Sequence, residues 1–393
     1  MSKQSKFQYL IYSLLLALLI GGLIMWATGS NPFAVYAAVL TGSFGSLSSL
    51  MSVLAYTTPL ILTGLGAVVA FQGGVFNIGG EGQLLVGGLA AVLTGIYVDL
   101  PQPLPLLLAL IAGFAAGALW ALIPTLMVGK NLAALFVGTV MMNSIGSSFT
   151  EYLVKYHFLR EGASTTETPN VLDAAVLPRV MPNTQFNYGI IVAVVCVLLV
   201  AWILYRTPAG FAIRVVGANP NSARQAGINV YHKTLLTMVL SGGICGLAGA
   251  VQCLAIYKRW ILGFSPGYGW DGITVATLAG LNPFAVLLTG MFFGMLRSAS
   301  ISMNLTNSVP IDMITVLQGL IVILIATPTL WVTLKNGFLL LREWLHTKRG
   351  GHNNEFRCGS FVSCCHASYG NADCAGNTRL HHQRTGRCHQ YRY

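Results

Sequence analysis

The chain has 393 residues, of which 54% are hydrophobic and 8% are charged. A soluble globular protein carries about 25% charged residues, so this composition excludes a water-exposed surface over most of the chain. The formal net charge is +11, yet no Lys or Arg lies between Lys6 and Lys130, and the only acids there are Glu81 and Asp99. The positive charge therefore belongs to loops and is not the basic surface of a nucleic-acid-binding protein.

Long apolar stretches recur along the chain. A helix needs about 20 apolar residues to cross the hydrocarbon core, because the bilayer offers no partner for unpaired backbone amides. The sequence predicts an all-α, polytopic membrane helix bundle with about ten transmembrane segments. The eighth is too short to span alone and is followed by Asn282 and Pro283, which predicts a half-helix packed among protein neighbours. The predicted segments are 7–28, 51–71, 82–98, 103–128, 131–154, 187–205, 234–256, 270–281, 284–302 and 311–334.

Basic residues predict the orientation, because they concentrate in cytoplasmic loops. With about ten crossings, most of them fall on one side of the membrane, which predicts that both termini are cytoplasmic. The long loop over 155–186 then lies outside, as does an interfacial helix predicted over 31–49. Lys258 and Arg259 are the main exceptions. The residues on the predicted cytoplasmic side are Lys3, Lys6, Lys130, Arg206, Arg214, Arg224, Lys233, Lys335, Arg342, Lys348 and Arg349.

Several glycines have the G-x-x-x-G spacing, which lets helix backbones approach closely. Such pairs arise easily in a chain with 44 glycines, so ordinary bundle packing explains them without a functional role. The pairs are Gly113 with Gly117, Gly242 with Gly246, and Gly290 with Gly294.

Residues 76–83 place glycines, amides and a carboxylate at the start of a helix. An acid at that position is stabilised by the helix dipole and by free N–H groups. An intramembrane carboxylate costs several kcal/mol to insert and is a functional candidate. Two readings stay open: Glu81 holds the helix start, or it contacts a solute. The candidate solute-pathway residues are Asn77, Gly79, Gly80, Glu81 and Gln83.

The loop over 206–228 predicts a short helix with defined ends. Asn219 suits the N-cap, Pro220 the first helical position and Gly227 the residue after the end. A short helix that projects from the membrane fits a groove on a partner protein, whereas the alternative is a plain connector. The stretch consists of Asn219, Pro220, Asn221, Ser222, Ala223, Arg224, Gln225, Ala226 and Gly227.

Three groups of motifs together resemble the nucleoside branch of the ribose and branched-chain amino acid ABC permeases. They are TPLILTGLG at 58–66 with FNIGGEGQ at 76–83, GANP at 217–220 with ARQAGI at 223–228, and GYGWDGI at 267–273. The likeness covers nearly all of residues 1–350. One departure is NLAALF at 131–136, where the nucleoside branch usually has an Asn-Glu-Val-Ile pattern. The resemblance implies the permease subunit of an ATP-driven ABC importer for nucleosides, with simple sugars as a second class of solute.

The resemblance also implies the partners. The loop motif resembles the family's coupling helix, which would assign docking on the ATPase to Asn219 through Gly227. The implied partners are ABC ATPase subunits, a second paralogous permease subunit and an external solute-binding lipoprotein, in the inner membrane of a bacterium. No G-x-x-x-x-G-K-[ST] loop occurs, so ATP is expected on the partner subunit. We expect no catalytic residue, metal or cofactor in this chain.

Two other classes of transport protein are alternatives. An ion-coupled secondary transporter of a small polar solute needs paired ionisable groups along its pathway. The acids at or near the predicted helices are Glu81, Glu151, Asp271 and Asp312. A passive channel lacks an evident ring of charge or a filter sequence.

The composition changes after Gly350, where the chain becomes rich in Cys, His and Arg. A zinc site is disfavoured because no C-x-x-C pair occurs and Cys364 and Cys365 are adjacent. Back-translation from Asn354, read one base out of phase, permits a sequence that resembles the start of a paralogous permease. We therefore predict a permease domain over 1–350 and a disordered frameshift product over 351–393.

Overall fold

In the computed structural model, the regular secondary structure of the described residues is helical. These residues contain isolated β-bridges but no strand, which confirms the all-α prediction for this part of the chain. They all belong to one compact unit, Met1–Trp331. Most of the predicted segment 7–28, nearly all of 311–334 and the whole tail after Gly350 lie outside the described residues. The structure describes residues 16, 19–27, 32–129, 132–181, 184–307 and 319.

Every segment predicted between residues 51 and 302 corresponds to a helix, and the stretch 31–49 also contains one. The eighth segment is a half-helix of 11 residues, as predicted. A π turn over Cys253–Tyr257 extends the helix Val230–Gln252. The helices are α1 (Pro32–Phe44), α2 (Leu47–Gln72), α3 (Gly80–Tyr97), α4 (Leu104–Val128), α5 (Leu132–His157), α6 (Gly189–Arg206), α7 (Pro208–Ala218), α8 (Pro220–Gln225), α9 (Val230–Gln252), α10 (Tyr268–Leu278) and α11 (Ala285–Asn307).

Four of the described helices are long and apolar enough to cross a membrane: α2, α4, α6, and α9 with its π turn. The most apolar window is 89% buried in α2 and 83% buried in α9, but only 33% buried in α4 and in α6. The first two therefore form the centre of the bundle. The other two expose apolar side chains, as helices that face lipid do. The expected total of about ten crossings stays a prediction.

Glycines bring α3, α4 and α9 into backbone contact. A Cβ atom on Gly246 would overlap the backbone of Gly113 and come within 2.8 Å of Gly117. A Cβ on Gly117 would in turn overlap Gly242, and one on Gly87 would overlap Gly246. Two of the predicted G-x-x-x-G pairs thus face each other, which confirms the packing interpretation.

The third glycine pair has the same role on the other side of the bundle. Gly290 and Gly294 of α11 pack against Ile61 and Thr57 of α2. A Cβ on Gly294 would lie 2.9 Å from the Cα of Thr57. The central helix α2 is therefore held closely against α11.

The two ends of the bundle differ. At one end, called the α8 end, the Gln72 amide donates to the Leu281 carbonyl oxygen at 2.7 Å, and Gly217 packs against the backbone of Gln72 and Gly74. Here α7 lies beside the end of α2, and α8 packs on α7 and α9. At the opposite end, called the long-loop end, residues 166–177 hydrogen-bond to residues 254–262.

An ion-pair cluster joins the segments of the long-loop end. Glu167, whose side chain is 8% exposed, contacts Arg160 at 2.6 Å and Arg259 at 3.5 Å. The backbone N–H of Thr168 donates to the Trp260 carbonyl oxygen at 3.0 Å. Arg259, an exception in the charge pattern, thus has an acidic partner in the long loop.

We expect Gly246→Val to destabilise the bundle by about 1–3 kcal/mol or more, because the added side chain has no room beside the backbone of α4. Thermal unfolding in detergent measures the change. The matched control is Gly138→Ala, since the nearest atom to a Cβ there is the Cβ of Pro124 at 3.4 Å. Wild-type stability of the Gly246 variant would contradict this packing.

Candidate functional site

The chain between α2 and α3 is irregular inside the bundle, and α5 supplies hydrogen-bond partners for its backbone. The Asn143 side chain accepts from the Gly82 N–H and donates to the Ile78 carbonyl oxygen, each at 2.8 Å. The Ile78 N–H donates to the Thr139 hydroxyl oxygen at 3.3 Å. Unpaired backbone groups are costly away from water, so these side chains make the helix break possible.

Asn77 and Gln83 form a second part of this support. The Asn77 amide donates to Gln83 Oε1 at 3.1 Å and to Ser241 Oγ at 2.9 Å. Gln83 Nε2 and the Gly79 N–H both donate back to Asn77 Oδ1, at 3.2 and 3.0 Å. Asn77 and Gln83 are 3% and 1% exposed. Their contacts therefore hold the break together from within the bundle.

Glu81 connects the starts of two helices. It lies in the first turn of α3, and its Oε2 accepts from the Gly269 N–H at 2.7 Å, in the first turn of α10. A Cβ on Gly269 would overlap the Glu81 backbone, and Gly80 lies beside Gly269. Ser265 also hydrogen-bonds the carboxylate. The negative charge thus sits where the positive ends of two helix dipoles meet.

A polar cavity of about 280 Å³ lies beside Glu81, between α3, α5 and the segment that leads into α10. Trp260 and Leu262 line it towards the long-loop end. Its volume is just below the roughly 300–1,000 Å³ found for small-molecule sites. Of the predicted pathway residues, Glu81 lines this cavity, whereas Asn77, Gly79, Gly80 and Gln83 do not. The polar lining side chains are Glu81, Asn143, Ser144, Ser147, Thr150 and Ser265.

The exposed side of α5 carries hydroxyl groups next to the cavity. Ser144, Ser147 and Ser148 are exposed there, among apolar neighbours. The exposed side of α4 instead carries large apolar residues such as Leu107 and Ile111. Polar side chains in a membrane face protein or a water-filled cavity, so this side of α5 is suited to a solute path.

The short helix α8 has the predicted ends. Asn219 Oδ1 accepts from the N–H groups of Asn221 and Ser222 at 2.9 and 3.2 Å, which is an N-cap. Pro220 is the first helical residue, and Gly227 has φ +77° in the left-handed region. The sequence therefore predicted this helix with correct bounds.

One side of α8 is buried in the bundle. Ala223 has 0% exposure, because α8 packs on α7 and α9. Arg224 is exposed and donates to Asn221 Oδ1 at 3.1 Å. A groove of about 390 Å³ runs beside it, lined in part by Arg224, Asn229 and Tyr231. The surface offered to a partner is therefore the polar side of α8 and this groove.

Sequence reasoning missed an arginine inside the bundle. Arg297 of α11 interacts electrostatically with Tyr56, Tyr257, Tyr268 and Asp271. Its Nε is buried without a hydrogen-bond partner among the described residues. A single cation within the apolar run 284–302 was the signal that could have identified it, because intramembrane charges are rare.

The fold and the site define a multi-pass membrane protein with a polar cavity inside its bundle and a capped helix at one end. Residues 49–326 match the sequence model of the family described as the permease component of the branched-chain amino acid transport system, and the chain belongs to this family. It is thus a permease subunit of the ABC transporter class rather than an enzyme. This membership disfavours the ion-coupled secondary transporter.

Three relatives cover most of the chain. The guanosine ABC transporter permease protein NupP of Bacillus subtilis is 32% identical over 81% of this chain and 92% of its own length. The nucleoside ABC transporter permease protein NupB of Lactococcus lactis is 28% identical, over 83% of this chain and 92% of its own. The glucose ABC transporter permease protein TsgB13 of Haloferax volcanii is 29% identical, over 81% and 86%.

We expect Glu81→Gln to lower the free energy of unfolding by roughly 0.3–2 kcal/mol, since the amide oxygen still accepts from Gly269 but the charge at the helix starts is lost. Glu81→Leu should lower the free energy of unfolding by about 1–3 kcal/mol more, because the Gly269 N–H is then unpaired inside the bundle. Thermal unfolding in detergent compares the two. The control Glu151→Gln, on α5, should change little. Equal losses for Gln and Leu would show that the hydrogen bond to Gly269 contributes nothing.

Proposed function

We propose that this chain is the membrane-spanning permease subunit of an ATP-driven importer for nucleosides. The observation that carries the proposal is the polar cavity beside Glu81, in a chain whose relatives include permeases named for guanosine and for nucleosides. Glu81 contacts the passing solute. Asn77, Gly79, Gly80 and Gln83 keep the start of α3 in place behind it.

The helix starts inside the bundle support a path that opens and closes. Discontinuous helices in transporters place their N-termini and irregular backbone next to the solute. In this chain α3 begins at Gly80 and α10 begins at Tyr268, and one hydrogen bond from Gly269 to Glu81 joins them. A movement of α10 relative to α3 would change the access to the cavity.

The α8 end is the proposed docking site for the ATPase subunit, which binds the ATP. Residues Asn219 through Gly227 provide the coupling helix, with Ala223 serving to hold it on the bundle. The exposed side chains of Asn221, Arg224 and Gln225 face the partner.

The remaining partners are assigned to the other surfaces. The hydroxyl-bearing side of α5 would face a second, paralogous permease across the solute path. An external solute-binding lipoprotein would deliver the solute at the long-loop end. The lipid bilayer covers the apolar sides of α4 and α6.

The orientation follows the distribution of basic residues. Arg206, Arg214, Arg224 and Lys233 belong to the α8 end, which is therefore cytoplasmic under the positive-inside rule. About ten crossings and two cytoplasmic termini complete this arrangement, in the inner membrane of a bacterium. Residues 1–350 form the permease in this proposal, and residues 351–393 take no part in transport.

A simple sugar is the second candidate solute. The relative TsgB13 is named for glucose, and the cavity's serines and carboxylate suit the hydroxyl groups of sugars and of nucleosides alike. We expect uptake of labelled guanosine by cells that express the complete transporter, and loss of this uptake when the chain is deleted. Excess unlabelled adenosine should suppress it and excess glucose should not. Suppression by glucose alone, or no guanosine uptake, would reject the nucleoside proposal.

We expect Arg224→Glu to abolish solute-stimulated ATP hydrolysis by the assembled transporter, because it reverses the charge of the side of α8 that faces the ATPase. Assembly of the permease in the membrane should be unaffected, since Arg224 is exposed. ATPase activity in proteoliposomes is the measurement. Arg206→Glu is the matched control, an equal charge reversal of an exposed arginine outside α8. Normal stimulation in the Arg224 variant would remove α8 from the coupling.

A further inference from the structure

The charge of Glu81 restricts the solutes that the cavity beside it can accept. Among the described residues that line it, Glu81 is the only one with an ionisable acidic or basic side chain. A carboxylate accepts hydrogen bonds and donates none. The cavity therefore offers no cation to a phosphate or carboxylate, and it favours a neutral solute that brings hydroxyl donors.

Glu81 has the capacity for such donors. One oxygen, Oε2, accepts from the Gly269 N–H, and Ser265 also bonds to the carboxylate. Its two oxygens together offer about four lone-pair sites. The remaining sites can accept from neighbouring hydroxyl groups, as the acidic residue of dinucleotide-binding folds does with ribose.

Trp260 adds an independent observation. It lines the same cavity, is 1% exposed, and its Nε1 is buried without a hydrogen-bond partner among the described residues. Its backbone N–H bonds to Thr168 Oγ1 at 3.0 Å, and its ring packs edge-on against Phe264. Buried donors are normally paired because an unmade hydrogen bond is costly. An acceptor oxygen on a solute would satisfy this donor.

The Glu81 carboxylate and the Trp260 indole N–H together indicate which functional group of a solute they would bind. A hydroxyl group donates one hydrogen bond and accepts others, so it can serve a carboxylate and an indole N–H at once. The hydroxyls of Ser144 and Ser147 can do either. Trp270, 47% exposed, lines the cavity with an aromatic ring on which a base can stack.

We propose that this cavity recognises the vicinal diol of an uncharged ribosyl solute, with Glu81 accepting from the 2′- and 3′-hydroxyls and Trp260 Nε1 donating to the 2′-hydroxyl oxygen. The proposal rests on the proposed function, import of nucleosides, and adds that the permease itself reads the sugar. The base is held only by stacking on Trp270. The site therefore distinguishes ribose from deoxyribose more sharply than one base from another.

The test compares adenosine with 2′-deoxyadenosine in cells that express the complete transporter. Each solute is supplied at the concentration that gives the same wild-type rate, so the external binding protein affects all variants equally. We expect Glu81→Gln to lower the adenosine rate about tenfold and the 2′-deoxyadenosine rate no more than about threefold. Adenosine loses the charged acceptor of both its 2′- and 3′-hydroxyls, whereas 2′-deoxyadenosine has only the 3′-hydroxyl to lose it for. Trp260→Phe should shift the ratio in the same direction.

The controls separate recognition from folding. Glu151→Gln and Trp202→Phe make the same changes outside the cavity and should leave both rates unchanged. Equal losses of the two solutes in Glu81→Gln and Trp260→Phe would indicate a structural role and overturn the diol proposal. If wild-type cells import neither nucleoside, the proposed function fails. The same comparison with D-ribose and 2-deoxy-D-ribose then decides whether the cavity recognises a diol. If the ratio of the two uptake rates is the same in both variants as in the wild type, the diol proposal is overturned.

Discussion

The hydrogen bond between Glu81 and Gly269 joins the two helices that begin inside the bundle. The positive ends of the dipoles of α3 and α10 meet there, and without a negative charge they would repel each other. Each dipole interaction is worth up to about 2 kcal/mol in a partly buried geometry, whereas inserting an unpaired carboxylate costs several kcal/mol. Two helix starts, a backbone donor and Ser265 together make the charge tolerable. The same arrangement leaves a carboxylate at the wall of the cavity.

Close glycine packing allows this interaction to exist at a fixed place. The contacts among Gly87, Gly117 and Gly246 hold α3 against α4 and α9. On the other side, α10 packs on α2 through Gly272 and Thr63. Glu81 lies where these two groups of helices meet. Any movement that separates α3 from α10 must therefore break its bond to Gly269.

The sequence predicted features that depend on neighbouring residues. The capped helix α8, the half-helix α10 and the position of Glu81 in a first helical turn all follow from local chemistry, and the structure has them. Contacts between distant parts of the chain were not predictable in this way. Gly269 lies 188 residues from Glu81, and the sequence around either residue does not predict the contact with the other.

Three omissions have two different causes. The role of Asn143 depends on the orientation of α5 relative to the irregular segment before α3, which a helix pattern does not define. The burial of Ala223 likewise depends on how α8 rests on α7 and α9. Arg297, however, is visible in the sequence as the single cation of the apolar run 284–302, and an intramembrane cation is as rare as an intramembrane acid.

The acids of the bundle show why an external source of energy suits this chain. Glu81 is engaged with the starts of α3 and α10, and Asp271 interacts with Arg297. Glu151 lies outside the cavity, and Asp312 lies outside the described residues. An ion-coupled carrier needs acidic groups that bind and release the ion along the path. Within the described part of the chain, the cavity has a single carboxylate that already holds two helices together. The movement that releases it therefore needs energy from outside the cavity, which the proposed coupling through α8 would supply.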